Sequence, residues 1–224
     1  MDFQPTEDQI ALREGIRSFL EGQYPNERYP DLEKAKGFDA ALWNELAEMG
    51  VFSLRLPETD GGIGLGFADA VLVFEEIGRR LVPGPIIWSH LAAGLVDGAA
   101  MGDTIVGGID LLSHPTTEAD DPILVEHLEC LDVLLALRPD GIYRIDAGEV
   151  DATEAEVSLD PMTPVYLAAT LPQGEKVGDA AASKRMRLEG AALTSGLQLG
   201  LAEGALQLAN DYAKERKQFG RVVG

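Results

Sequence analysis

The sequence predicts an α+β protein, and three observations carry that prediction. Apolar residues recur at helical spacing through most of the first hundred positions. Short β-type runs bounded by Gly, Pro and acidic residues occupy the middle. A single long helical pattern then runs from about Ala180 to Lys217. Hydrophobic residues make up 46% of the 224 and charged residues 25%, a composition that folds rather than stays disordered. The expected domains are 1–102 (all helical), 103–174 (β) and 175–224 (the first long helix of a helical domain).

Thr6-Glu7-Asp8-Gln9 reads as a capping box, and Leu12, Ile16, Phe19 and Leu20 continue it at helical spacing. Tyr24-Pro25 and Tyr29-Pro30 break that helix. A second helix is expected from Asp39, a good N-cap, to Met49, with Gly50 as its stop and Leu42, Trp43, Leu46 and Met49 as its apolar face. The stretch Leu56 to Gly66 is glycine-rich. A third helix is expected over Phe67–Leu81, with Val71, Phe74, Ile77 and Gly78 or Leu81 inward. A fourth, largely apolar, is expected from Pro85 to Val96. Thr104–Ile109, Val133–Leu137 and Val165–Ala169 read as strands. Arg138-Pro139-Asp140-Gly141 before Ile142–Ile145 reads as a hairpin with Asp-Gly at the turn. In the tail, Gly196, Gly200 and Gly204 fall four apart on one stripe. Each glycine costs roughly 1 kcal/mol against alanine in a helix, so the stripe predicts close approach of another helix.

Eighteen basic residues against 38 acidic give a net charge of −20, which repels phosphate backbones and anionic lipid. Neither nucleic acid nor a membrane surface is an expected partner, and no run is apolar enough for a membrane span. The charge is uneven. Residues 103–160 hold two basic and fifteen acidic groups (net −13), whereas 175–224 hold eight basic and six acidic (net +2). The start lacks the features of a signal peptide, and one cysteine, Cys130, cannot form an internal disulfide. Both fit a reducing cytoplasm.

Few motifs carry chemistry. The glycine-rich stretch lacks the Gly-Lys-Ser/Thr of a P-loop and follows no strong strand, so it reads as a tight loop. His90, His114 and His127 have no metal-ligand spacing, and no metal is expected. Cys130 reads as a small core residue, and Glu118-Ala119-Asp120-Asp121 as a solvated loop. The tail Tyr212-Ala-Lys-Glu-Arg216-Lys-Gln218-Phe219-Gly220-Arg221 differs, being cationic within an acidic chain. A helix C-terminus favours cations in any case. An anion contact is the alternative, with Arg216 on a phosphate, Gln218 on a polar group and Phe219 against a ring.

That tail segment closely resembles the signature in the first long C-terminal helix of acyl-CoA dehydrogenases. Thr6-Glu-Asp-Gln, Leu46-Ala-Glu-Met-Gly50, Pro57-Glu58 with Gly61-Gly62 and Gly64-Leu65, and Phe74-Glu-Glu-Ile-Gly78 resemble the same family in order. The resemblance implies a helical domain, a β-domain and a helical C-terminal domain. It also implies FAD, held at a subunit interface, and removal of two hydrogens across the α–β bond of an acyl-CoA thioester. In the family a carboxylate takes the α-proton and flavin N5 the β-hydride. Carried over, Arg216, Gln218 and Phe219 contact FAD of a neighbouring subunit.

The middle region departs from the family's flavin-loop pattern. It carries Pro122-Ile-Leu-Val-Glu-His127, Asp140-Gly-Ile-Tyr143 and Leu159-Asp-Pro-Met-Thr-Pro-Val165 instead. That resembles the degenerate partner subunits of heteromeric acyl-CoA dehydrogenases, including those acting on steroid side-chain CoA thioesters. The catalytic base of most members lies beyond the end of this sequence. For a minority it lies near the start of the long helix, where Glu189 is the candidate and Arg185 and Arg187 are candidates for a substrate or CoA contact. The expectation is thus a C-terminally truncated subunit that completes a homologous partner's flavin site, with its glycine stripe lacking bundle partners. The alternatives are a scaffold that kept the fold and lost the flavin, or an active homo-oligomeric dehydrogenase.

Overall fold

The computed structural model of the chain describes residues 4–112, 121–219 and 221–222. Helices α1 (Glu7–Gln23), α2 (Tyr29–Lys34), α3 (Ala40–Glu48), α4 (Phe67–Arg79) and α5 (Ile86–Ala92) come first. Strands β1 (Val106–Asp110), β2 (Ile123–Glu126), β3 (Val133–Arg138), β4 (Gly141–Asp146), β5 (Ala152–Glu154), β6 (Val165–Ala168) and β7 (Glu175–Asp179) follow. Helix α6 (Ala180–Glu215) and a hairpin of β8 (Lys217–Gln218) and β9 (Arg221–Val222) end the order. This is the predicted α–β–α succession. No helix among the described residues is long and apolar enough to cross a membrane. Two compact units form.

The first unit holds the described residues of Met1–Pro25, Phe67–Val82 and Ala192–Gly224. The capping box of α1 is present: Gln9 N–H donates to Thr6 Oγ at 3.2 Å, and Thr6 N–H donates to Gln9 Oε1 at 3.0 Å. Ile16 and Leu20 bury the inner face of α1, and Ala70, Val73, Phe74 and Ile77 bury that of α4. Helix α4 stops at Arg79, two residues short of expectation. Of the residues expected inward, Phe74, Ile77 and Gly78 are buried, and Leu81, the alternative to Gly78, takes a left-handed φ of 46° and is 45% exposed.

The glycine stripe has its partner in α4. A Cβ at Gly196 would lie 2.8 Å from the carbonyl oxygen of Val71, and one at Gly200 or Gly204 would overlap that of Glu75 or Arg79. Gly78 returns the fit, since a Cβ there would overlap the carbonyl of Leu197. Val71, Glu75 and Arg79 are themselves four apart, so backbone meets backbone turn by turn. The expectation of a stripe without partners is therefore corrected. A buried ion network locks the same helices. Glu76, with no side-chain exposure, accepts from Arg13, Arg17 and Arg79, while Arg13 also reaches Glu75 and Arg79 also reaches Glu203.

The second unit holds Asn26–Gly66 and Pro83–Ala191, described residues only. Asp39 caps α3 by accepting from the Ala41 and Leu42 amides, and Gly50 ends it at φ 75°. Leu42, Trp43 and Leu46 are buried as expected, but Met49 is 37% exposed. Helix α2 was not anticipated. Pro30 sits in its first turn, where a missing N–H costs nothing. Helix α5 is shorter than expected because Ala93 turns extended and Gly94 takes φ 80°.

One sheet has the order β1-β3-β4-β7, with β1 and β3 parallel and the other pairs antiparallel. The second has the order β2-β6-β5, antiparallel throughout. Leu134, Ala136, Tyr143 and Ile145 of the first meet Val125, Tyr166 and Ala168 of the second in one core. Strand β3 is buried along nearly its whole length, which explains its unbroken apolar run. Its hairpin to β4 pairs Arg138 with Gly141, so Pro139 and Asp140 make the turn and Gly141 opens β4. Helix α5 docks on β1 through Ser89, whose hydroxyl accepts from Val106 N–H and donates to Val106 C=O. Gly108 leaves the space that the Trp88 ring fills.

Candidate functional site

The glycine-rich loop is structural. Gly62 N–H donates to Pro57 C=O at 3.0 Å, Gly64 N–H to Leu56 C=O at 2.8 Å and Leu65 N–H to Leu54 C=O at 2.8 Å. These amides are used within the loop and are not turned toward a phosphate.

His90, His127 and the cysteine are also absorbed by the fold. Burial pushes His90 down to about 4, although the Val51 carbonyl opposes it by accepting from Nδ1 at 2.9 Å. Burial likewise pushes His127 down to about 4 and the Cys130 thiol up to about 11. Buried neutral imidazoles and a half-buried un-ionised thiol at the core's edge are parts of the packing. No group of three metal-ligating side chains occurs among the described residues. His114 and Glu118–Asp120 lie outside them.

What remains is the end of α6. The helix stops at Glu215, not Lys217. Arg216 N–H still donates to Tyr212 C=O at 2.9 Å, and the chain then turns into the β8–β9 hairpin, with Gln218 paired to Arg221. Phe219 stands in the turn at φ 51° and is fully exposed (102%). A left-handed conformation costs a bulky residue about 1–2 kcal/mol, and here it displays an aromatic ring to solvent. Gly220 lies outside the described residues. The Arg216 guanidinium carbon lies 5.2 Å from the centre of the Tyr212 ring. Among the described residues no carboxylate is within ion-pair distance of Arg216. The nearby Asp211 instead meets Lys214 at 3.8 Å and Gln207 at 2.8 Å.

The structure therefore gathers Arg216, Gln218 and Phe219 on one exposed hairpin. Their donor set suits an extended anion with an aromatic end: a planar guanidinium for a pyrophosphate, an amide for a polar edge and a ring for stacking. FAD has this chemistry. Glu189 belongs to the second unit, where its Oε2 accepts from Arg55 at 2.8 Å. Arg187 donates to Asp110 at 2.9 Å, and Arg185 is exposed. The partners Arg55 and Tyr212 were not read from the sequence. Tyr212 had a signal, its i,i+4 spacing to Arg216. Arg55, 134 positions from Glu189, had none.

The α–β–α order matches the acyl-CoA dehydrogenase fold. Residues 6–99 match the N-terminal domain of the acyl-CoA dehydrogenase family. It is 29% identical over 232 residues to acyl-CoA dehydrogenase IpdE2 of Mycobacterium tuberculosis, covering 98% of this chain and 68% of that protein. The ChsE4-ChsE5 complex from Mycobacterium tuberculosis has a similar fold. Its TM-score is 0.78 at 21% identity, covering 100% of this chain and 71% of that one. The Tcur3481-Tcur3483 steroid ACAD G363A variant gives 0.76 at 21% identity, covering 97% and 70%. Members of this family bind FAD.

Proposed function

We propose that the chain is one subunit of an oligomeric, FAD-dependent acyl-CoA dehydrogenase, and that its hairpin completes the flavin site of a homologous neighbour. The observation that carries this reading is the exposed hairpin, with an unneutralised Arg216, Gln218 and a strained, fully exposed Phe219. When bound, FAD supplies the hydride acceptor for α,β-dehydrogenation of an acyl-CoA thioester. Arg216 holds the pyrophosphate, Gln218 a polar edge and Phe219 a ring face. The acyl group proposed is a steroid side chain, in keeping with the likeness to a steroid ACAD, and the setting proposed is the cytoplasm. The proton-removing carboxylate is assigned to the neighbour. Glu189 is the candidate within this chain, and its contact with Arg55 favours a holding role instead.

The test is to co-purify the chain with a homologous subunit and record the visible spectrum. A yellow complex is expected, and Arg216→Ala is expected to weaken flavin retention about tenfold or more, since a charged hydrogen bond contributes about 1.5–3 kcal/mol. A colourless, stable complex would favour the scaffold reading. Retention unchanged in Arg216→Ala would remove Arg216 from the site. For Glu189→Gln, turnover within about threefold of wild type is expected. A fall of about 100-fold or more with flavin retained would make Glu189 the base.

A further inference from the structure

We infer that Tyr212 is a positioning residue for the anion site, holding the Arg216 guanidinium in place without neutralising it. The inference deepens the flavin-completing reading and rests on it. The guanidinium carbon is 5.2 Å from the ring centre, within the range over which a ring's quadrupole attracts a cation. The pairing spans one helical turn, and the backbone fixes its register through Arg216 N–H to Tyr212 C=O at 2.9 Å. A free arginine at a chain turn samples many rotamers, and a ligand must order it on binding. A carboxylate could order it beforehand but would consume its donors and cancel its charge. A ring face orders it and leaves the in-plane N–H groups free for a pyrophosphate.

The surroundings fit this division of labour. Asp211, one residue from Tyr212, is engaged by Lys214 and Gln207. Tyr212 is 54% exposed, so its ring is not committed to the core and its replacement leaves the interior unchanged. A cation that meets no carboxylate among the described residues, in a chain of net charge −20, needs a means of orienting it that carries no negative charge.

The experiment compares Tyr212→Leu, Tyr212→Phe and Arg216→Ala in the full chain assembled with its homologous partner. FAD dissociation constants are read from flavin fluorescence. Arg216 Hδ chemical shifts are read in the chain itself by NMR. Tyr212→Leu is expected to weaken FAD about three- to tenfold and to abolish the upfield ring-current shift of the Arg216 Hδ protons. Tyr212→Phe, which keeps the π face, is expected to stay within twofold of wild type and to retain that shift. If Arg216→Ala weakens FAD but Tyr212→Leu does not, the positioning role is overturned while the flavin-site reading stands. If Tyr212→Phe is as weak as Tyr212→Leu, the hydroxyl and not the ring face is responsible, and the inference is overturned. If Arg216→Ala leaves FAD affinity unchanged, the flavin-site reading fails and takes the inference with it.

Discussion

Two groups of arginines in the same compact unit are treated in opposite ways. Arg13, Arg17 and Arg79 are tied to Glu75, Glu76 and Glu203, and the Glu76 side chain is wholly shut off from solvent. Arg216, at the end of α6, rests on a ring and meets no carboxylate among the described residues. A guanidinium matched to a buried carboxylate stabilises the fold but has little left to offer a ligand. One held on a π face contributes little to folding and keeps its charge and donors. Pairing state separates the cations committed to the fold from the one the proposed function directs to a ligand.

The largest effect that would test this contrast is at Glu76. Glu76→Gln removes the wholly buried charge that Arg13, Arg17 and Arg79 share, and is expected to cost about 1.5–3 kcal/mol in urea unfolding, less than a fully buried pair because the guanidinium groups are partly exposed. The pH dependence follows. Burial raises the Glu76 pKa, but the hydrogen bonds from Arg17 and Arg13 and the charges of Arg79 and Arg17 outweigh it, so the carboxyl titrates below the ordinary carboxylate range. A depressed pKa means that this stability is complete above the unfolded-state value and is lost as pH falls through the folded-state value. Acid unfolding of the wild type should therefore steepen below about pH 4.5, and Glu76→Gln should flatten that slope. An unchanged slope would show that the network is not the acid-sensitive element.

Gly200→Ala comes next. Overpacking costs about 1–3 kcal/mol, against roughly 1 kcal/mol of gained helix propensity, so a net loss is expected in the urea midpoint. A stabilised variant would contradict the backbone contact with α4. The smallest effect on stability is expected at Phe219→Asn. Asparagine accepts the left-handed turn, so the melting temperature should hold or rise slightly while flavin retention falls. A fall in both would place Phe219 among the structural residues.

Much of the helical region was legible because local chemistry dictates it. The Thr6–Gln9 box and the Asp39 cap act within four residues, and the structure contains both. The β3–β4 hairpin was legible for the same reason, although Pro139-Asp140 and not Asp-Gly makes the turn. What escaped depends on distant partners. Strands β5 and β7 owe their pairing to β6 and β4, and β1 lies parallel to β3 across an intervening segment. The glycine stripe announced a close neighbour, but nothing local named α4. In the candidate site Arg216, Gln218 and Phe219 were visible as a motif. The hairpin that displays them was not, because the helical pattern continues past the point where the backbone leaves it.

The contact between the glycine row and α4 has a consequence at the far end of α6. Gly204 lies twelve residues before Arg216, about 18 Å along the helix at 1.5 Å per residue. The row is thus the fulcrum of a lever whose tip is the hairpin. A side chain wedged under Gly200 that tilts α6 by roughly 5° would swing that tip by about 1.6 Å, enough by itself to spoil alignment with a bound group. Flavin loss in a Gly200 variant would then report a pointing error, with every contacting residue still in the sequence.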